Sequence, residues 1–362
     1  MTGAPQGVNR IRLIRRAEPS PACRMEQSTT SFSRTVNRCC RALARHVLHI
    51  GLLLAVSALA LKAAFMPPRL QVTLHPGESA MLQDDVFVLK GFSVPKYGDG
   101  RPRQYVSDVH MVSMERGAGG KSNPQASHAE ISVNHPLRWN GWWIYQNSYD
   151  AANEAYTVLE AVRDPFLPLA VLAGVLLLLG TAMMCLEGRS ALCGASAGCV
   201  IGADSHCGAS RWAGAFRFAA AAAVVMLPLW IIGKVLLTRE LVPALQSPLL
   251  VPHVGAYLVS YAILIFAAFG IGTRLVPFGF FLMTLALVLG ATWGKVCWGD
   301  WWQYDPKEMW SLATWLTFAA YFHFRRSPKA AKWLLRFGML MIVLTLTWVN
   351  FARIFKGLHS YV

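Results

Sequence analysis

Seven long apolar runs constrain this chain more than any other feature. They lie at roughly 47–66, 164–186, 215–237, 254–273, 276–294, 309–324 and 335–353. A helix needs about 17–25 apolar residues to cross the hydrocarbon core of a bilayer, and each run is of that order, the sixth being the shortest. A large soluble core is the competing account of so much apolar sequence. Only 15% of the 362 residues are charged, however, and 54% are hydrophobic, whereas soluble domains carry about 25% charged residues. The same composition excludes disorder, collagen and small disulfide scaffolds. The expected fold class is an α-helical polytopic membrane protein with about seven transmembrane helices.

Net charge is +15, and its placement orients the spans. Basic residues flank the apolar runs, which favours cytoplasmic anchoring over nucleic-acid binding. Residues 1–46 carry nine arginines against two acids and lack a long apolar stretch, so they read as a basic cytoplasmic tail, partly disordered, and not as a cleavable signal peptide. Arg325, Arg326, Lys329 and Lys332 set the end of the sixth run in the cytoplasm. With that orientation, 67–163, the loop 295–308 and the C-terminus are extracytoplasmic, and 187–214 is a cytoplasmic loop. Arg239, Lys295 and Lys307 fall on the outer side, so the rule acts here as a bias. The expected location is the cytoplasmic (inner) membrane.

The segment 67–163 has another texture. Pro67-Pro68 opens it, and short alternating stretches such as Leu70-Gln71-Val72-Thr73-Leu74 and Val86-Phe87-Val88-Leu89 follow. Pro76-Gly77 and Gly98-Asp99-Gly100 punctuate them. This predicts one extracytoplasmic β-rich domain of six to eight strands, with 117–127 as a loop. His75, His110, His128 and His135 lie in it without metal-ligand spacing, so structural roles are expected. The eight cysteines include no Cys-x-x-Cys; Cys193, Cys199 and Cys207 read as reduced cytoplasmic thiols, and the chain is not itself a c-type cytochrome. No Walker motif is present, which argues against ATP-driven export by this chain alone.

Chemistry concentrates in Trp298-Gly-Asp-Trp-Trp-Gln-Tyr-Asp-Pro-Lys-Glu-Met-Trp-Ser311. Six of the thirteen tryptophans fall between 293 and 315. An interfacial aromatic belt is one reading. The interleaved Asp300, Asp305, Lys307 and Glu308 favour another, a flat apolar platform for a planar macrocycle with polar groups for its acid substituents. His253 opens the fourth run and His359 follows the seventh, both on the side of the Trp-rich loop. Two neutral imidazoles on opposite faces of a macrocycle form a haem-ligand arrangement, and interfacial histidines bonded to backbone or headgroups are the plainer account. A second set lies at the other face: His46 and His49, on one helix face at i, i+3, open the first run, and His323 ends the sixth.

These residues resemble a known family. Trp298-Gly299, Trp302 and Asp305-Pro306-Lys307-Glu308 look like the tryptophan-rich "WWD" signature of haem-handling proteins. The likeness is to the CcsA/ResC type of System II cytochrome c biogenesis, and Pro243-Ala-Leu-Gln-Ser247, His253 and Gly357-Leu-His-Ser-Tyr361 support it. Tyr304 stands where that family usually has Trp. The first half resembles the partner family, CcsB/ResB, through His49-Ile-Gly-Leu-Leu-Leu, Tyr97-Gly-Asp-Gly100, Val133-Asn-His-Pro-Leu137, Gly141, Tyr145-Gln146, Ser148-Tyr149 and Arg163-Asp-Pro165. The organisation implied is a 1–46 tail, a ResB-like half at 47–186 (span 47–66, β-rich domain 67–163, span 164–186), the 187–214 loop, and a CcsA-like WWD domain at 215–362 with five spans.

The resemblance implies cytochrome c maturation. Haem b would be held near the inner face by His49 and His323, with His46 as the alternative to His49. It would then be presented outside by His253 and His359 beside Trp298, Gly299, Trp301, Trp302, Tyr304, Asp305, Lys307 and Glu308. There its vinyl groups would meet the Cys-x-x-Cys-His thiols of an apocytochrome c. No catalytic residue is implied beyond those that position haem. The implied activity is that of a holocytochrome c synthase (haem lyase), alone or with partner subunits. The partners are apocytochrome c, membrane lipid and a thioredoxin-like thiol reductant, with no nucleic acid. A haem exporter or chaperone without ligation activity, and a bis-His transmembrane electron carrier, are the alternatives.

Overall fold

The computed structural model describes residues 21–83, 85–113, 125–196 and 240–351. The apolar run at 215–237, most of the 187–214 loop, His359 and the C-terminus lie outside the described residues. Helix α1 (Pro21–Phe65) leads into eight strands: β1 (Leu70–Leu74), β2 (Ser79–Leu82), β3 (Asp85–Ser93), β4 (Val106–Ser113), β5 (Gln125–Ser132), β6 (Leu137–Trp139), β7 (Trp142–Tyr149) and β8 (Thr157–Val162). Helices α2 (Leu167–Ser196), α3 (Leu250–Ala268), α4 (Val276–Trp298), α5 (Pro306–Phe324) and α6 (Pro328–Phe351) follow. Helix α1 already begins at Pro21, so the stretch 21–46, expected as a partly disordered tail, is helical and continuous with the first apolar run.

Among the described residues, five helices are long and apolar enough to cross a membrane: Ala42–Phe65, Leu167–Cys185, Leu250–Ala268, Thr273–Trp298 and Pro328–Thr347. The sixth predicted run is indeed a helix, α5, but it is not one of those five. Its start is set by local chemistry. Asp305 is the N-cap, Pro306 occupies the first helical position, and Glu308 completes a capping box. Helix α4 ends at Gly299, whose φ of 74° is the left-handed conformation that glycine adopts without a Cβ penalty.

The strands form two four-stranded antiparallel sheets, ordered β1-β8-β7-β6 and β2-β3-β4-β5. Period-2 alternation turns one face of each inward. Phe87, Leu89, Val109, Met111 and Ile131 meet Leu74, Trp142, Ile144 and Leu159 in the core between them. In the helical part, a second core gathers Phe280, Met283, Trp315, Phe318 and Ile342.

Helices α1 and α2 run together, and two glycines let them approach. A Cβ at Gly180 would stand 2.8 Å from the Leu48 nitrogen, and one at Gly51 would stand 2.9 Å from the Leu177 nitrogen. In lipid, helix association depends on such close backbone packing, because the surrounding tails are as apolar as the side chains. Gly180→Ala is therefore expected to destabilise the protein by about 1–3 kcal/mol, read as a lower thermal midpoint in detergent. Gly174→Ala on the same helix is the control. Its Cβ would meet only Val288 methyls at 3.6 Å, and its midpoint should hold or rise.

Candidate functional site

His253 sits in the first turns of α3 and is partly buried. Its Nδ1 lies 2.8 Å from the carbonyl oxygen of Ala286. A carbonyl can only accept, so Nδ1 carries the proton and the lone pair is on Nε2, the tautomer suited to a metal ligand. Space for the ring comes from α4: a Cβ at Gly290 would stand 2.5 Å from the His253 Cε1. Tyr257 meets the ring edge-on at 5.2 Å, and Trp293 lies at 5.9 Å.

This imidazole lines a cavity of about 320 Å³ together with Trp301, Trp302, Lys307, Glu308 and Ser311. The Trp301 indole N–H is buried and has no acceptor among the described residues. The lining thus joins two indoles and an imidazole to one ammonium and one carboxylate. That set fits a flat apolar ligand bearing an anionic substituent. Of the other residues singled out by sequence, Trp298 packs with Trp293 and Val133, Gly299 caps α4, Asp305 caps α5, and Tyr304 is half exposed with φ 59°. These four do not line the cavity. His359 lies outside the described residues.

A second cavity, of about 310 Å³, is lined by His49, His323, Trp315, Arg45, Arg325 and Arg326. The His49 and His323 rings face each other with centroids 5.5 Å apart and planes at 76°. His49 Nδ1 lies 2.6 Å from the Arg45 carbonyl oxygen, which again leaves the lone pair on Nε2. His46 is exposed and does not line this cavity. An iron between two imidazole nitrogens needs them about 4 Å apart, from two bonds of about 2 Å. The two rings instead meet edge to face, so a shared iron with a macrocycle around it would require them to reorient and move apart.

Comparison with known proteins accounts for both parts of the chain. Residues 39–156 match the ResB-like family, and residues 270–359 match Cytochrome C assembly protein. The chain carries a ResB-like region followed by a cytochrome c assembly region. Similar proteins include the cytochrome c biogenesis protein CcsA of Prochlorococcus marinus (strain MIT 9312), 33% identical over an alignment of 179 residues that covers 34% of this chain and 57% of that protein. The CcsA of Guillardia theta is 41% identical over 92 residues, 24% of this chain and 30% of the relative. That of Porphyra purpurea is 44% identical over 92 residues, 24% of this chain and 28% of the relative. The chain thus spans about half or less of the length of these curated relatives. With five span-capable helices, it is a multi-span membrane protein.

The ResB-like region and the assembly region meet through buried charge. Asp300, between Gly299 and Trp301, binds the Lys62 ammonium from α1 and, at 2.7 Å, Arg69. Lys62 also donates to the Trp302 carbonyl, and its ammonium stands 5.0 Å from the Trp301 ring centre. Arg69 bridges on to Glu160 at 3.0 Å. A parallel pair joins Lys295 of α4 to Asp164 at 3.3 Å, with both side chains under 10% exposed. Tyr145 packs over Gly299. Its phenol is buried, and that burial, beside Asp164, holds it well above the ordinary tyrosine range.

Sequence reading missed this network. It counted Lys295 only as a topological charge, and the ion pairs link positions 91 to 238 residues apart. A lysine inside the first apolar run was the available signal, since ionisable groups in spans are costly without a partner. Polar motif residues of the ResB-like region also prove to be docking contacts. Asn134 donates to the Pro243 carbonyl at 2.8 Å, and the Tyr97 hydroxyl donates to the Leu241 carbonyl at 3.0 Å. Gln246 donates to the Arg103 carbonyl at 2.8 Å.

Breaking one partner of a buried pair costs about 3–5 kcal/mol, because the other charge is left without compensation. Asp300→Asn and Lys62→Met should each lower the thermal midpoint strongly. Combined, they should cost less than their sum, with a coupling energy of about 0.5–3 kcal/mol. Strict additivity in that double-mutant cycle would mean the two residues do not interact.

Proposed function

We propose that this chain matures cytochrome c: it accepts haem b as substrate and presents it for thioether attachment to the Cys-x-x-Cys-His segment of an apocytochrome c. The observation that carries this reading is the His253 cavity. His253, whose Nδ1 is engaged by the Ala286 carbonyl, lines one cavity with Trp301, Trp302 and Lys307. The indoles suit a macrocycle, and the ammonium suits a propionate. His359 is the partner ligand by resemblance. The reaction adds each client S–H across a vinyl group, forming a C–S bond and placing the hydrogen on the neighbouring carbon. No oxidant is consumed, but the client thiols must arrive reduced, hence a thioredoxin-like reductant as a further partner. The role of this chain's residues is to hold and orient the two reactants.

His49 and His323 are proposed as the inner holding site, where Arg45, Arg325 and Arg326 share the cavity. In the accompanying topology the chain crosses the inner membrane about seven times. The β-rich domain, the 295–308 loop and the C-terminus are then extracytoplasmic, and the β-rich domain holds the client.

Co-expression with an apocytochrome c tests the function. Covalent haem on the client is expected with the unmodified chain. His253→Ala or His359→Ala should abolish attachment, with partial rescue by added imidazole. Gly290→Ala, which crowds the His253 ring, should give a milder form of the same defect. Haem that copurifies but is never attached would instead favour a haem exporter. Normal maturation by both histidine variants would overturn the outer site.

The topology has its own test. Reporters active only in the cytoplasm should be silent when inserted at Gly120 or fused after Val362. Activity at either position would invert the scheme.

A further inference from the structure

His110 and His128 are distant in sequence, yet the fold makes them neighbours. Strands β4 and β5 pair antiparallel with His110 opposite His128 and Asp108 opposite Glu130. Val109 and Met111 are turned into the core, as is Ile131. Alternation therefore sends Asp108, His110, His128 and Glu130 to the outer face of the sheet. The two imidazole centroids are 4.9 Å apart with planes at 74°. One donor atom from each of Asp108, His110 and His128 lies within 4.8 Å of the others.

Asp108 Oδ1 is shielded from solvent and lies 2.5 Å from His128 Nε2, so the carboxylate and one imidazole are already drawn together on this face.

Two imidazoles and one carboxylate are the donors that Zn²⁺ takes in three-ligand sites, with water in the fourth position. Glu130, opposite Asp108 in the ladder, adds negative charge to the same face. We propose that Asp108, His110 and His128 bind a first-row divalent cation, with Zn²⁺ the best match. Strand β5 is the edge of its sheet, so the ion would clamp that edge to β4. The site is independent of the haem reading, since none of the three cavity histidines belongs to it.

The test uses the full-length chain in detergent, purified without a polyhistidine tag, stripped with chelator and titrated calorimetrically with Zn²⁺. Other histidines in the chain make the comparison between variants decisive. One tight equivalent is expected. It should weaken at least about tenfold in His110→Ala and in His128→Ala, since even outer-shell partners are worth 10–100-fold. Asp108→Asn should weaken it too, while His75→Ala, an exposed histidine of the same domain, should not. Zn²⁺ should also raise the thermal midpoint of the unmodified chain but not of His128→Ala. Both imidazoles are exposed, so these variants leave the core intact. The proposal fails if no Zn²⁺ binds, or if the His110→Ala/His128→Ala double variant binds it as the parent does.

Discussion

Asp300 is a carboxylate held under 10% exposed in the middle of the Trp-rich loop, and the rest of the site depends on how its charge is met. Burying an ion costs several kcal/mol unless another charge and further hydrogen bonds compensate. Lys62 and Arg69 supply both, and each comes from the ResB-like region. The loop can therefore take this conformation only when α1 and β1 are already beside it. The same contacts fix Trp301 and Trp302, because Lys62 also bonds the Trp302 carbonyl and lies over the Trp301 ring. An apolar interface of equal volume would bind as tightly, but it would slide more easily. What the ions contribute is register, with the Trp-rich wall set against one particular turn of α1.

That dependence explains why the two regions work as one chain. The docking contacts from Tyr97 and Asn134 reach the segment just before α3, and α3 carries His253. The β-rich domain thus holds both ends of the His253 cavity, through Asp300 at one side and through the approach to α3 at the other. Tyr145 completes the arrangement by packing on Gly299, where no side chain is present to exclude it.

Much of the architecture was legible from periodicity. Six of the seven apolar runs coincide with helices, the run at 215–237 lying outside the described residues, and Leu70–Leu74 became β1 with the boundaries read from its alternation. Pairwise chemistry was not legible. Lys62 and Asp300 are 238 positions apart, and nothing local to either says that they meet. His110 and His128 illustrate the same limit in a sheet. Their proximity is a consequence of strand register, which depends on the turn between β4 and β5, and spacing rules for metal sites see only local separations. Sequence singled out His46, His49, His253, His323 and His359 by their place near apolar runs and by the family resemblance; the described residues put His253 on one cavity and His49 and His323 on another.

Helix α5 shows why the weakest hydropathy signal coincides with the most chemistry. Its first turns place Lys307, Glu308 and Ser311 on the cavity of His253, and its last turn places His323 on the cavity of His49. Those ends lie roughly 24 Å apart at 1.5 Å per residue, about the depth of a membrane. Between them Trp315, which lines the His49 cavity, packs on Phe280 at 5.1 Å and donates its indole N–H to Thr284 at 2.9 Å. A helix that supplies polar groups to a site at each end cannot also be uniformly apolar. Its failure to qualify as a span by composition follows from the polar groups at its two ends, and its neighbours α4 and α6 supply the apolar surface that it lacks.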